Sequence, residues 1–190
     1  MTGKHSRLEE LDLSGNKLYG HVPPELGTCT SLQHLNLSNN FFTGFIPSTL
    51  VNCSLLTFLD LSSNLVSFFR SWGSCQIFEW FYPFNHKELQ APQEFGIYKN
   101  NFRSPTPREF SLLRRLQFLW VYENLLLGDF PAEFGNMSML QEIDVSVNNL
   151  IGRFPEEIGT LKSLTFIDAA HNNFSGTVPA SLGNLSSLQT

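Results

Sequence analysis

Three aromatic side chains that alternate along one short segment are the residues best suited to contact another molecule. Phe118, Trp120 and Tyr122 are separated by Leu119 and Val121, and alternate residues of a strand point to the same side. If the aliphatic residues face a core, all three rings face outward. Aromatic anchors with a polar rim are typical of protein-binding hot spots. The chemistry predicted here is therefore recognition of another molecule.

Residues that could support catalysis do not form a recognisable set. Cys75 lies in the tetrapeptide WGSC, which faintly resembles a thiol-protease nucleophile. The His and Asn of such an enzyme would follow about 130 to 150 residues later, essentially at or beyond the last residue of this sequence. The sequence holds no metal-ligand cluster, phosphate-binding Gly loop or kinase motif, and its five histidines are scattered singly. We predict no catalytic residue, no cofactor and no metal site.

Composition excludes further classes of function. The chain has 190 residues, with 12 basic and 17 acidic side chains and a net charge of −5. Without a basic cluster it lacks the electrostatic footprint of a nucleic-acid-binding protein. No window holds the roughly 18 apolar residues of a spanning helix, and MTGKHSRLEEL at the start has no apolar signal-peptide core. The length suits one domain or one stretch of a repeat array.

A period of 24 residues organises the chain. It is marked by seven asparagines in two series, Asn16, Asn40 and Asn64, then Asn100, Asn124, Asn148 and Asn172. Aliphatic residues precede each mark by eight, five and three positions in nearly every copy. After the mark come an apolar residue, usually a Gly four positions on, and a Pro seven positions on. Six marks carry this proline: Pro23, Pro47, Pro107, Pro131, Pro155 and Pro179.

This pattern predicts a solenoid with one short strand per coil. The LxL step has the period of a strand, so its aliphatic residues face the core. Each coil leaves an apolar flank that only the next coil can cover. The Asn side chain both donates and accepts, so we expect a ladder of asparagines that satisfies main-chain groups of adjacent coils. Gly relieves crowding or permits positive φ, and Pro fixes φ where the chain cannot continue a strand.

The outward strand positions of such a solenoid line up on one concave surface. Around the aromatic trio, Tyr98 and Phe166 fall in adjoining rows, with Glu142 and Asp144 beside them and Asp168 further along. We predict that these residues bind a ligand. The alternative is that the aromatics shield strand backbone and that Asp is a repeat-consensus residue in its position.

The repeat resembles the plant-type leucine-rich repeat, LxxLxLxxNxLxGxIPxxLGxL, over nearly the whole chain. The best copies are LYGHVPPELG, LLGDFPAEFG, LIGRFPEEIG and FSGTVPASLG. The resemblance implies an α/β-type solenoid, a right-handed superhelix of about seven to eight 24-residue coils with a parallel sheet on its concave face. Similar repeats form the extracellular domains of plant receptor-like kinases and receptor-like proteins.

The resemblance also implies what the chain does. It predicts an extracellular or secreted recognition module that binds a peptide or protein, and it admits a co-receptor as a further partner. Any membrane span or kinase would belong to receptor segments outside this chain. PREFSLLRRLQFLW at 107–120 resembles receptor-like kinases that sense short secreted peptides. Two alternatives stay open: a secreted inhibitor of a cell-wall enzyme such as polygalacturonase, and a non-functional receptor fragment.

The period breaks once. Asn64 and Asn100 are 36 residues apart, which we interpret as an eighth coil that lost its strand or shares the one before it. One domain over 1–190 is therefore predicted, with regular coils at 1–66 and 92–190, a degenerate coil at 67–91, and no caps. Eight aromatic residues lie in this break: Phe68, Phe69, Trp72, Phe78, Trp80, Phe81, Tyr82 and Phe84. They could form an interaction patch, or they could fill a poorly packed junction between coils.

Cysteines and sequons are the remaining features of the sequence. Cys29 and Cys53 occupy a position that is Leu or Met in other coils, so we expect buried thiols rather than a disulfide. Five asparagines have Ser two residues later and are predicted glycosylation sites, which fits a secreted surface: Asn36, Asn52, Asn136, Asn173 and Asn184. Asn36 alone projects from the strand face, where a glycan would block neighbouring ligand contacts.

Overall fold

A ladder of short parallel strands runs along the molecule. The structure is a computed structural model that describes residues 7–67 and 92–189. Seven strands of three residues share one sheet: β1 (Glu10–Asp12), β3 (His34–Asn36), β5 (Phe58–Asp60), β7 (Glu94–Gly96), β8 (Phe118–Trp120), β10 (Glu142–Asp144) and β12 (Phe166–Asp168). They pair in parallel in the order β1-β3-β5-β7-β8-β10-β12. The predicted solenoid, with one parallel strand per coil, is confirmed.

The alternation of residue types explains why each strand lies as it does. The middle residue of each inner strand faces the core, and Leu35, Leu59, Phe95, Leu119 and Ile143 are at most 1% exposed. The residues on either side face away from the core, so one strand presents two outward side chains. Burial of apolar surface contributes about 25 cal/mol per Å² to folding stability. The face with the aliphatic residues therefore packs in the core, and the opposite face points outward.

A second set of strands, which the sequence pattern did not predict, follows the asparagines. β2 (Tyr19–His21), β4 (Phe41–Phe45) and β6 (Leu65–Ser67) form a three-stranded parallel sheet, and β9 (Leu127–Asp129) pairs with β11 (Asn149–Ile151). The repeat glycine lies within β2, β4 and β9 and directly follows β11. Its predicted positive φ is observed, for example at Gly20 (93°) and Gly128 (75°).

The far side of each coil is a 3-10 helix of five residues. Each helix directly follows a repeat proline whose φ lies between −58° and −75°, the value that the pyrrolidine ring imposes. The bounds are Pro24–Thr28, Ser48–Asn52, Arg108–Leu112, Ala132–Asn136, Glu156–Thr160 and Ala180–Asn184. No α-helix occurs in the ranges that the structure describes. These helices form a row separate from the strands, and consecutive helices contact each other within residues 24–52 and within residues 108–184.

The repeat asparagines lie in a column and bridge neighbouring coils. In Asn124, Nδ2 donates to Val121 O (3.1 Å) of its own coil and to Ile97 O (3.0 Å) of the preceding coil, while Oδ1 accepts from Phe102 N at 3.2 Å. Asn40, Asn64, Asn100 and Asn148 repeat this arrangement and are buried. One side chain thus satisfies main-chain groups of two coils.

The sheet continues across the break in the period. β5 pairs directly with β7, with Phe58 opposite Glu94, although these residues are 36 apart. Asn100 Nδ2 donates to Leu61 O at 2.9 Å, as if the two coils were consecutive. No other described strand lies between β5 and β7 in this sheet. The eight aromatics predicted for this region and Cys75 lie outside the described residues.

Candidate ligand-binding surface

Two columns of outward side chains cover the seven-stranded sheet. The first holds Glu10, His34, Phe58, Glu94, Phe118, Glu142 and Phe166, and the second holds Asp12, Asn36, Asp60, Gly96, Trp120, Asp144 and Asp168. Parallel pairing without slippage aligns each residue with its counterpart in the next coil. The surface is thus a grid whose neighbours are set by strand register.

Four of the predicted aromatic residues form two ring pairs near the middle of the sheet. The rings of Phe118 and Trp120 have centroids 5.6 Å apart at an interplanar angle of 31°. Tyr98 and Tyr122 stack at 4.4 Å and 8°. These four side chains are half-buried, so each presents part of its ring to solvent while neighbouring side chains hold it in place. The arrangement offers rigid apolar area to a ligand.

Phe166 does not belong to this group. The sequence spacing suggested an adjoining row, but register puts it opposite Glu142 on β12, two strands from Phe118. It is 44% exposed. The expectation overlooked strand β10, which lies between β8 and β12. The outward residues of β10 are Glu142 and Asp144. Phe166 therefore borders the far side of the acidic pair.

Carboxylates flank the aromatic centre, the group formed by Phe118, Trp120, Tyr98 and Tyr122. Glu94 and Glu142 lie on either side of Phe118, and Asp144 lies beside Trp120. Burial raises the pKa of Asp144, opposed by hydrogen bonds from Ser146, and Asp168 raises it further. Burial also raises the pKa of Tyr122 to about 12, with a further contribution from Tyr98. The phenol of Tyr122 is accordingly neutral near pH 7.

A second aromatic stack, which was not predicted from the sequence, lies towards the first coils. The rings of His34 and Phe58 are parallel, with centroids 4.1 Å apart and an interplanar angle of 4°. Asn36, in the next column, donates to Asp12 Oδ2 at 3.4 Å and accepts from Ser38 N and Oγ. Aligning the outward positions of consecutive coils would have revealed the stack, because both residues occupy the same column.

The remaining predicted sites differ in exposure. Asn52, Asn136, Asn173 and Asn184 are exposed, whereas Asn36 is half-buried in the sheet. Cys29 and Cys53 are free thiols. Burial raises the pKa of Cys53 to about 11, so its thiol stays protonated and unreactive at neutral pH.

Residues 7–67 and 92–189 contain neither a metal-binding group of side chains nor a membrane-spanning helix. These residues hold no group of three or more His, Cys, Asp or Glu side chains placed to bind a metal ion. Nor do they include a helix with the length and apolar character needed to cross a membrane.

Family comparisons match this architecture. A family model described as Leucine rich repeat matches residues 6–66, and a second Leucine Rich Repeat model matches residues 139–161 and 163–185. A search of curated proteins gave no match.

Solved structures of plant receptors are similar over almost the whole chain. The plant peptide hormone receptor RGFR1, in complex with RGF2, is 32% identical with a TM-score of 0.84, over 96% of this chain and 27% of that chain. The LRR ectodomain of the Arabidopsis thaliana membrane receptor kinase GASSHO1/SCHENGEN3, in complex with CASPARIAN STRIP INTEGRITY FACTOR 2, is 34% identical with a TM-score of 0.85, over 96% and 20% of the two chains.

A third structure is the Arabidopsis receptor kinase HAESA in complex with the peptide hormone IDA and the co-receptor SERK1. It is 29% identical with a TM-score of 0.83, over 95% of this chain and 28% of that chain. The present chain thus spans 20% to 28% of the length of these receptor chains.

Proposed function

Because the chain belongs to the leucine-rich repeat family, we propose that it is a recognition module of a plant receptor-like kinase or receptor-like protein. In this proposal residues 1–190 form one domain that binds a peptide or protein on its concave sheet. It works outside the cell, at the plasma membrane or in secreted form, and signalling output comes from other segments of a longer receptor. Its role is binding rather than catalysis.

The observation that carries the proposal is the aromatic centre of the sheet. Phe118, Trp120, Tyr122 and Tyr98 present partly exposed rings on the outward face of the sheet. Glu142, Asp144, Phe166 and Asp168 extend the contact surface towards the last strand. Rigid aromatic area with a polar surround is the composition of a binding hot spot.

The dimensions of the sheet suit an extended peptide. Seven strands at about 4.8 Å each span roughly 34 Å, the length of about ten extended residues. The three similar receptor structures are complexes with RGF2, with CASPARIAN STRIP INTEGRITY FACTOR 2 and with the peptide hormone IDA. A peptide crossing the strands of this chain would contact the aromatic centre near its midpoint.

Selection from a displayed library of random dodecapeptides tests the proposal and requires no assumption about the natural ligand. Peptides enriched on the purified chain are expected to bind the Trp120→Ala and Tyr122→Ala variants at least about 10-fold more weakly. Binding is measured by fluorescence anisotropy of labelled peptides.

Tyr19→Ala is the matched control, because Tyr19 is an aromatic residue 86% exposed on β2, outside the concave sheet. Its affinity should be unchanged. If the enriched peptides bind the Trp120→Ala and Tyr122→Ala variants as tightly as the original chain, the aromatic centre is not the binding site.

A further inference from the structure

Every charged residue that faces outward from the strands of the concave sheet is an Asp or a Glu. Its fourteen outward strand positions contain no Lys or Arg, and their single imidazole is His34. They contain seven carboxylates, Glu10, Asp12, Asp60, Glu94, Glu142, Asp144 and Asp168. A surface of one sign favours a partner of the opposite sign.

None of these carboxylates is neutralised by a basic side chain within the described ranges. The two ion pairs found there are Lys99 with Glu123 at 3.6 Å and Arg108 with Glu109 at 3.5 Å, and neither involves an outward strand residue. The hydrogen bonds to Asp144 Oδ1 come from the neutral Ser146 N and Oγ. Within the described ranges, no ion pair therefore offsets the negative charge of these strand residues.

Asp60 brings a second carboxylate towards Trp120 from the opposite side. Gly96 lies between Asp60 and Trp120 in the register of the sheet. Having no side chain, it leaves room for the neighbouring strand, and Asp60 Oδ1 lies 3.0 Å from the point that a Cβ on Gly96 would occupy. The carboxylate of Asp60 thus lies over β7, where the other strands of this column carry a side chain.

A buried hydroxyl without a hydrogen-bond partner lies beside Asp60. Ser38 Oγ and Ser146 Oγ each donate to the side chain two residues before them. Ser62 occupies the same position in its coil and is 1% exposed, yet its Oγ has no hydrogen-bond partner among the described residues. Asp60 Oδ1 accepts from Ser62 N at 2.8 Å, as Asp144 Oδ1 does from Ser146 N. A buried hydroxyl left unpaired destabilises the free protein unless a bound group satisfies it.

From this juxtaposition we infer that the ligand is a cationic peptide, with an arginine or lysine side chain that packs on Trp120 between the carboxylates of Asp60 and Asp144. The inference rests on the proposed function and adds the chemical class of the ligand. A cation over an indole is attracted by the ring quadrupole. A guanidinium can also stack on the ring while donating to carboxylates at its edges.

The test uses pentapeptides that differ in one side chain. Acetyl-Gly-Gly-Arg-Gly-Gly-amide is compared with the peptide that carries citrulline, which keeps the shape of arginine without its charge, and with the glutamate peptide. Each is titrated into ¹⁵N-labelled protein, and the indole Nε1–H resonances of its three tryptophans are followed by NMR. The Trp120→Phe variant assigns the Trp120 resonance.

The arginine peptide is expected to shift the Trp120 resonance in a saturable manner, whereas the citrulline and glutamate peptides leave it in place. Asp144→Asn should weaken this binding about 5-fold, since it removes the charge but keeps the shape and the acceptor for Ser146. Asp12→Asn is the matched control, because Asp12 Oδ1 accepts from Ser14 N at 2.8 Å in the same way but has no tryptophan beside it. Its affinity should be unchanged.

The outcomes separate the two proposals. Equal shifts with arginine and citrulline, or no shift with either, would overturn the cationic class of ligand. The same holds if Asp144→Asn binds the arginine peptide as well as Asp12→Asn does. The recognition function would still stand in these cases if peptides from the random library depended on Trp120 and Tyr122. Loss of that dependence would remove the recognition surface itself.

Discussion

One valine has the least favourable backbone conformation among the residues that precede the asparagine column. These seven residues share a left-handed backbone with φ between 50° and 67°, and they are Gly15, Asn39, Ser63, Lys99, Glu123, Val147 and His171. Glycine and asparagine tolerate this region well, but β-branched residues are outliers there. The common conformation shows that coil geometry overrides the preference of the individual residue at this position.

Relieving this strain should stabilise the protein. Val147→Asn is expected to raise the free energy of unfolding by about 1 kcal/mol, because Asn adopts positive φ at lower cost. Val147 has φ 53° and is 43% exposed, so little packing is lost. Urea unfolding followed by circular dichroism measures the change. Val178→Asn, at an exposed valine that is not among the positive-φ residues, should not stabilise, and an equal gain there would contradict the strain argument.

At the scale of elements, side-chain ladders join one coil to the next on two sides of the strands. Besides the asparagine column, Gln117 Nε2 donates to Gln93 Oε1 at 3.2 Å, and Gln141 Nε2 donates to Gln117 Oε1 at 3.1 Å. The glutamines immediately precede β7, β8 and β10. Polar contacts therefore repeat with the strands, and they hold the register on which the outward grid depends.

The asparagine column should contribute unequally along its length. Asn124→Ala leaves main-chain groups of two buried coils without partners, so we expect it to lower the free energy of unfolding by about 3 kcal/mol. Asn16 is exposed and donates to Leu13 O and Ser14 O of its own coil, so Asn16→Ala should cost about 1 kcal/mol or less. Urea midpoints of both variants test this. Similar losses for both would mean that bridging between coils is not what the asparagines contribute.

Considered as a whole, the molecule separates its surfaces by chemistry. The concave sheet holds the aromatic centre and the carboxylates, whereas Asn52, Asn136 and Asn184 are the last residues of 3-10 helices in the opposing row. Asn173 is exposed as well. Asn36 is the exception, since its side chain is hydrogen-bonded within the concave sheet. Glycans on the four exposed sites would leave the sheet free for a ligand.

We therefore expect a protein secreted from plant cells with an added leader to carry glycans at Asn52, Asn136, Asn173 and Asn184 but not at Asn36. A glycan on Asn36 would break the hydrogen bonds of its side chain to Asp12 and Ser38 within the sheet, so a chain that carries it folds less well. Glycopeptide mass spectrometry measures occupancy at each site, and Asn136→Gln should remove one glycan only. An occupied Asn36 beside four empty sites would contradict the proposed separation of surfaces.

The spacing of residues along the chain was sufficient to predict the coil, the strand in each coil, the inward aliphatic residues and the outward aromatic trio. The prediction succeeded because nearly every contact between coils of a solenoid joins positions one period apart. The spacing along the sequence therefore also tells which residues are neighbours in space. The positive φ of the repeat glycine was predictable for the same reason. The strands β2, β4, β6, β9 and β11 were not, because their residues show no strand-like alternation of their own.

Only the tertiary structure decided what happens where that period fails. The direct pairing of β5 with β7 places Asp60 next to Gly96 across a gap of 36 residues, and no count along the sequence specifies which strands become neighbours there. The position of Asp60 over Gly96 and the stacking of Tyr98 on Tyr122 likewise depend on side chains packing across strands. The repeat thus determined the scaffold and the face that is free, while contacts between coils determined the shape and charge of the binding surface.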